Sequence, residues 1–135
     1  NETNLAYKDI PEKFQTGFRN YVGMIGLETS ANYLLHYGME NIRNKVIKLA
    51  NQLRDDLSKM SNVTLYGPDD PEKRTSIVSF NLNGHDPQDV VEKLERKKIV
   101  LAVREIFDKK LVRASPHFFN SESEILKVVD ELKKL

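Results

Sequence analysis

One amphipathic stripe limits the folds open to this chain more than any other feature. Between residues 39 and 60, apolar side chains recur at steps of three and four, and charged side chains fill the positions between them. This spacing predicts a helix. So long a stripe has to be covered by a second layer of the fold. Its members are Ile42, Val46, Leu49, Ala50, Leu53, Leu57 and Met60.

The segments after this helix predict the second layer. Asp86 and Pro87 are typical of a helix start, here of a helix that reaches about Lys97. Ser121 and Glu124 have the spacing of a capping box, which predicts a last helix. The element order predicts an α+β fold, in which helices pack on one face of a small, mostly antiparallel sheet. The predicted strands are residues 63–66, 75–82, 99–103 and 111–115.

Two segments precede the long helix. Residues 20–37 have an apolar stripe widened on both sides, which predicts a helix buried on much of its surface and ended by Gly38. Residues 1–19 show neither helical nor strand periodicity, and we interpret them as a connector from an upstream domain. The domain itself is then residues 20–135. Because the first residue is Asn1 rather than Met, we expect a piece of a longer protein.

Composition excludes several function classes. A net charge of +1 over 135 residues, with the two signs interspersed, predicts no nucleic-acid partner and no membrane partner. Cysteine is absent, so the chain has no disulfide, no thiolate metal ligand and no thiol nucleophile, and we expect a cytoplasmic protein. His36, His85 and His117 lack metal-ligand spacing, so no metal site is predicted.

Arg113 is the first candidate for a functional side chain. In the strand at 111–115, Val112 and Ala114 are expected to face the core, which directs Arg113 to the opposite face. One interpretation is a salt bridge across the sheet edge. The other is a bidentate clamp for a carboxylate or phosphate. Arg104 ends the preceding strand and would be a second anion contact if the two strands form a hairpin.

The stretch from Phe14 to Asn20 is the second candidate. Gly17 lets the backbone approach a partner closely, and the exposed N–H groups of a helix start attract anions. Arg19 and Asn20 would add donors to such a site. The alternative is an ordinary helix start with Asn20 as the N-cap, which the stretch alone favours.

Six short motifs in the same order make residues 11–135 resemble the C-terminal part of class V pyridoxal-phosphate (PLP) aminotransferase-like enzymes. That group includes cysteine desulfurases, selenocysteine lyases and isopenicillin-N-epimerase-like proteins. The motifs are Lys13–Asn20, Ile25–Leu27, Tyr37–Ile42, Tyr66–Pro68, Ile77–Asn81, and Val112–Ser115 followed by Phe119–Asn120.

The resemblance implies roles for both candidates. The chain would be the small domain of a fold-type-I PLP enzyme, and Arg113 would bind the α-carboxylate of a small amino-acid substrate. The stretch Gly17, Phe18, Arg19 and Asn20 would contact the cofactor phosphate of the neighbouring subunit in a homodimer. Phe18 replaces the family's threonine, so a hydroxyl contact is lost.

The resemblance also implies what this chain lacks. The cofactor-binding lysine and the aspartate at the pyridine nitrogen belong to a large upstream domain. The chain alone would therefore bind no PLP, contain no catalytic residue and be inactive. Persulfide-forming desulfurases carry a cysteine before the strand that contains Arg113, and this chain has none. A lyase, transaminase, epimerase or kynureninase-like activity fits better, although a desulfurase remains an alternative.

A free-standing α+β ligand-binding or protein-interaction module is the alternative from another class. The gene sequence upstream of Asn1 distinguishes the two. Roughly 250 upstream residues of α/β pattern favour the enzyme, because a large parallel-sheet domain is expected of that length. A start codon near Asn1 favours the module.

Overall fold

A computed structural model describes residues 6–15 and 17–135. The chain divides into two compact units, one ending at Gly38 and the other spanning Met39–Leu135. Short 3-10 turns occupy Glu12–Phe14 and Pro71–Lys73. The helices and strands are α1 (Tyr21–Tyr37), α2 (Met39–Ser58), β1 (Val63–Tyr66), β2 (Val78–Leu82), α3 (Pro87–Glu95), β3 (Ala102–Ile106), β4 (Lys109–Ala114) and α4 (Glu122–Leu132).

The first unit consists mainly of α1. Asn20 caps the helix by accepting a hydrogen bond from the Gly23 N–H at 2.8 Å, and Gly38 ends it with φ +81°. Both ends were predicted. The expected burial is wrong, however, because α1 contains no buried residue. Its apolar side chains lie all around the helix, and the described residues of its own unit form no second layer that covers them.

The second unit is a four-stranded antiparallel sheet in the order β1-β2-β4-β3. One face of the sheet packs against α2 and α3, and α4 packs against these two helices within the same core. These contacts confirm the predicted α+β fold with helices on one face. The buried side chains on that face of β2 and β4 are Val78, Phe80, Leu82, Val112 and Ala114.

Two predicted strands are displaced by local hydrogen bonds. β2 begins at Val78 rather than Thr75, because the Thr75 hydroxyl accepts the Ile77 N–H at 3.2 Å and forms a turn instead. Residues 99–101 do not start a strand. The Ile99 N–H donates to the Leu94 carbonyl at 3.0 Å and closes the end of α3, so β3 begins at Ala102.

The connection between the strands predicted at 99–103 and 111–115 is much shorter in the structure. β3 and β4 pair as far as Ile106 and Lys109, which leaves a two-residue connection. Phe107 and Asp108 both have positive φ, +48° and +62°, as a type I′ hairpin turn requires. The turn contains no glycine, so no local sequence signal predicts so tight a connection.

No helix within residues 6–15 and 17–135 has the length and apolar character needed to cross a membrane.

Candidate functional site

Arg113 lies in the part of β4 that has a strand on each side. Its partners across the sheet are Ser79 on β2 and Ala102 on β3, which both have small side chains. Val112 and Ala114 are buried in the core, whereas Arg113 is half-buried on the other face. The predicted orientation of Arg113 is therefore confirmed.

The charge of Arg113 has no protein partner among the described residues. None of their ion pairs includes it, so the expected salt bridge across the sheet edge is not formed there. Its Nε atom is buried and makes no hydrogen bond. Buried polar groups are nearly always paired in folded proteins. An anionic ligand could accept the hydrogen bond that the unpaired guanidinium nitrogen offers from this rigid strand.

Arg104 shares a sheet face with Arg113. It lies opposite Leu111, while Arg113 lies opposite Ala102, two positions away on each strand. Side chains on such a diagonal point to the same side of the sheet. The Arg104 side chain is exposed, and its Nη1 donates to the Val103 carbonyl at 3.1 Å. The hairpin on which a role for Arg104 depends is thus formed, and that role in anion binding stays a prediction.

The second candidate stretch lies in the first unit. Gly17 has φ +73° with open space where a Cβ would be. The Phe18 ring is exposed and lies 5.8 Å from the Tyr21 ring. Arg19 Nη2 donates to Gln15 Oε1 at 2.8 Å, and Asn20 acts as the N-cap described above. The phosphate-contact role of this stretch stays a prediction, and its Thr16 lies outside the described residues.

The segment after β4 is held by hydrogen bonds to its own backbone. Asn120 Oδ1 accepts the His117 N–H at 2.8 Å, and Glu124 Oε2 accepts the Ser121 N–H at 2.8 Å. The second of these bonds is the main reason that the pKa of Glu124 lies below its usual value. The His117 ring lies 4.6 Å from the Phe118 ring and is also close to Phe119.

The described residues contain no group of three or more histidine, cysteine, aspartate or glutamate side chains placed to hold a metal ion.

Two residues that bond to the backbone of the strands were missed by reasoning from the sequence. Asn81 on β2 donates to the Lys110 carbonyl at 2.9 Å and accepts the Val112 N–H at 3.3 Å, so its side chain bridges β2 and β4. Arg54 is one of the charged residues that were expected on the solvent-exposed face of the long helix. It is half-buried instead, and its Nη1 donates to the Tyr66 carbonyl at 3.1 Å. Neither contact has a local sequence signal, because the partners are distant in the chain.

One protein-family model matches nearly the whole chain. The family model described as aminotransferase class-V matches residues 1–128. The chain belongs to the class V aminotransferase family. This confirms the resemblance found from the six motifs.

Individual proteins resemble the chain over part of their own length. A probable cysteine desulfurase of Methanothermobacter thermautotrophicus is 30% identical over 99% of this chain, which covers 36% of that protein. The apo structure of the cysteine desulfurase from Thermococcus onnurineus superposes with a TM-score of 0.83 at 28% identity, covering 93% of this chain and 34% of that one. The chain thus spans about a third of these larger relatives.

A third relative shares the fold at lower identity. The structure of a C-DES variant with glycine covalently linked to its PLP cofactor superposes with a TM-score of 0.78 at 22% identity. The match covers 95% of this chain and 33% of that one.

Proposed function

We propose that this chain is the C-terminal part of a PLP-dependent enzyme that acts on a small amino acid, and that Arg113 binds the substrate α-carboxylate. The observation that carries the proposal is the unpaired, buried Nε of Arg113 on the sheet face opposite the core. Membership of the class V family supports the choice of an amino acid as the anion that pairs with it.

The position of Arg113 suits a carboxylate. A guanidinium presents N–H donors in a planar fork that matches the two oxygens of a carboxylate. The side chain projects from a strand that is paired on both sides, so its base is rigid. Fixing the carboxylate in this way orients the substrate Cα, which is how positioning contributes to catalysis.

PLP, when bound, supplies the electron sink for charge that develops at the substrate Cα. By resemblance, the lysine that holds PLP lies upstream of this chain. The part of this chain that would contact a phosphate is the backbone at Gly17 and Phe18, together with the guanidinium donors that Arg19 keeps after its bond to Gln15. Gly17 leaves room there for a close approach.

The reaction class that we favour is a lyase, transaminase or epimerase. The chain contains no cysteine, so it supplies no thiolate to attack substrate sulfur. The two-residue connection between β3 and β4 leaves no long loop before the Arg113 strand.

A cysteine desulfurase is the second candidate, because the relatives compared above carry that name. Formation of alanine from L-cysteine by the whole gene product would support this candidate. L-cysteine that is bound without alanine formation would count against it.

The test of Arg113 uses the whole gene product loaded with PLP. Binding of L-alanine is measured from the change in cofactor absorbance. We expect Arg113→Ala to weaken binding by about thirtyfold or more, because removing one partner of a desolvated charge pair costs about 2 kcal/mol or more. Arg113→Lys should bind L-alanine with an affinity between those of Arg113→Ala and the parent protein, since lysine keeps the charge but lacks the planar fork of donors.

Arg96→Ala is the matched control, because Arg96 is an exposed arginine at the end of α3. We expect it to bind L-alanine as the parent protein does. Undiminished L-alanine affinity in Arg113→Ala would rule out the proposed role.

A further inference from the structure

A cleft of ≈ 570 Å³ lies in the second unit, lined by α2, the connection between β1 and β2, and the β3–β4 hairpin. We call it the basic cleft. None of the described residues that line it is an aspartate or a glutamate. Its basic lining residues are Arg54, Lys73, Arg74 and Lys109.

Backbone carbonyls hold the two arginines in place. Arg74 Nε donates to the Pro68 carbonyl at 3.0 Å, and its Nη2 donates to the Asp69 carbonyl. Arg54 is tied to the Tyr66 carbonyl as described above. A guanidinium has five N–H donors, so each arginine keeps donors for a ligand after these bonds are made. The two cations are thus preorganised by the fold.

Most of the positive charge of the basic cleft is not neutralised. Lys73 pairs with Asp70 at 3.4 Å. No ion pair within residues 6–15 and 17–135 includes Arg54, Arg74 or Lys109. A concave surface lined by one sign of charge attracts ligands of the other sign. The basic cleft is therefore complementary to an anion.

The same cleft has apolar walls. Ile77 and Ile106 are each about half exposed, and Phe107 is 95% exposed. Phe107 is held at φ +48°, a backbone region that costs free energy for residues other than glycine and that recurs at functional sites. A bound molecule would thus meet apolar side chains beside the cations.

We propose that the basic cleft binds a small amphipathic anion, namely an apolar ring or chain that carries a carboxylate. The cleft volume lies in the range of small-molecule sites. Ser79 lines the cleft and is the strand partner of Arg113, but Arg113 itself does not line it. The basic cleft is therefore a second anion site beside the first, and it does not depend on the role proposed for Arg113.

The probe is 2-naphthoate, and 2-naphthamide is its neutral counterpart of nearly equal shape. Both are titrated into the whole gene product by isothermal titration calorimetry. We expect saturable binding of one naphthoate per chain, and about tenfold weaker binding of the amide, because the cations discriminate by charge. Equal affinity for the two compounds, or no saturable binding of naphthoate, would overturn the proposal.

Substitutions locate the bound probe. We expect Lys109→Glu to weaken naphthoate binding about tenfold. Lys45→Glu is the matched control: it makes the same charge change at an exposed position of α2 outside the cleft, and we expect it to leave binding unchanged. Arg113→Ala should also bind naphthoate normally. Loss of binding in that variant would assign the probe to Arg113 and refute a separate site.

Discussion

At the scale of single residues, Arg113 and Asn81 occupy neighbouring strands and have opposite hydrogen-bonding states. The Arg113 Nε is buried without a partner, and the Asn81 carboxamide uses both its donor and its acceptor on the β4 backbone. Regular pairing between β2 and β4 ends at Phe80. Asn81 therefore extends the attachment of β4 beyond that point, and so helps to hold the strand from which Arg113 projects.

Replacing Asn81 with alanine should destabilise the fold by about 1–3 kcal/mol, because the Val112 N–H loses its partner in a part-buried position and the Lys110 carbonyl loses an exposed bond. Urea unfolding followed by circular dichroism measures the change. Asn83→Ala is the control, since Asn83 accepts only an exposed bond from the Thr64 hydroxyl. We expect it to cost about 0.5 kcal/mol or less. Equal losses in the two variants would contradict the role of Asn81.

At the scale of elements, α4 has the best defined start. Ser121 Oγ accepts the Glu124 N–H, and the Glu124 carboxylate accepts the Ser121 N–H, which completes a capping box. The second bond lowers the pKa of Glu124 in the folded state. A lowered folded pKa means that this contribution to stability is present above the unfolded pKa. It is lost as pH falls through the folded value.

Glu124→Gln should therefore reduce the loss of stability on acidification. Glutamine keeps a side-chain acceptor for the Ser121 N–H but does not titrate. The measurement is the free energy of unfolding in urea between about pH 7 and pH 3. Ser121→Ala should lower stability throughout this range and keep the acid slope, because the Ser121 backbone N–H remains. An unchanged slope in Glu124→Gln would show that the carboxylate does not couple this helix to pH.

At the scale of the whole molecule, α1 is a helix without buried residues. It is a 17-residue helix whose large apolar side chains are exposed, among them Val22, Leu27 and Leu35. An isolated helix of this length is marginal in water, and large exposed apolar patches seek partners. The chain spans about a third of its relatives, and the proposed enzyme would include the remainder.

We expect the 135-residue chain to self-associate at micromolar concentration through α1. Light scattering over a concentration series measures the mass. Replacing Val22, Leu27 and Leu35 together with glutamate should shift the chain toward the monomer. The same number of glutamates at Asn44, Lys45 and Gln52 on α2 should not. A chain that stays monomeric at every concentration would contradict this prediction.

Features set by near neighbours in the chain were predicted from the sequence. The α2 stripe, the Asp86 and Ser121 caps, and the inward Val112 and Ala114 depend on periodicity and on side chains within a few residues. The six motifs in their order also predicted the family, because homologous proteins keep local sequence patterns along most of the chain.

The surroundings of those features were decided only by the tertiary structure. β4 lies between β2 and β3, so Ser79 and Ala102 flank Arg113 although they are far from it in sequence. The packing of α2 against β1 likewise brings Arg54 to the β1–β2 connection, which contains Arg74. Strand order and long-range packing bring such residues together, and no local pattern encodes them. The sequence therefore identified Arg113, and the fold determined that its charge has no described protein partner.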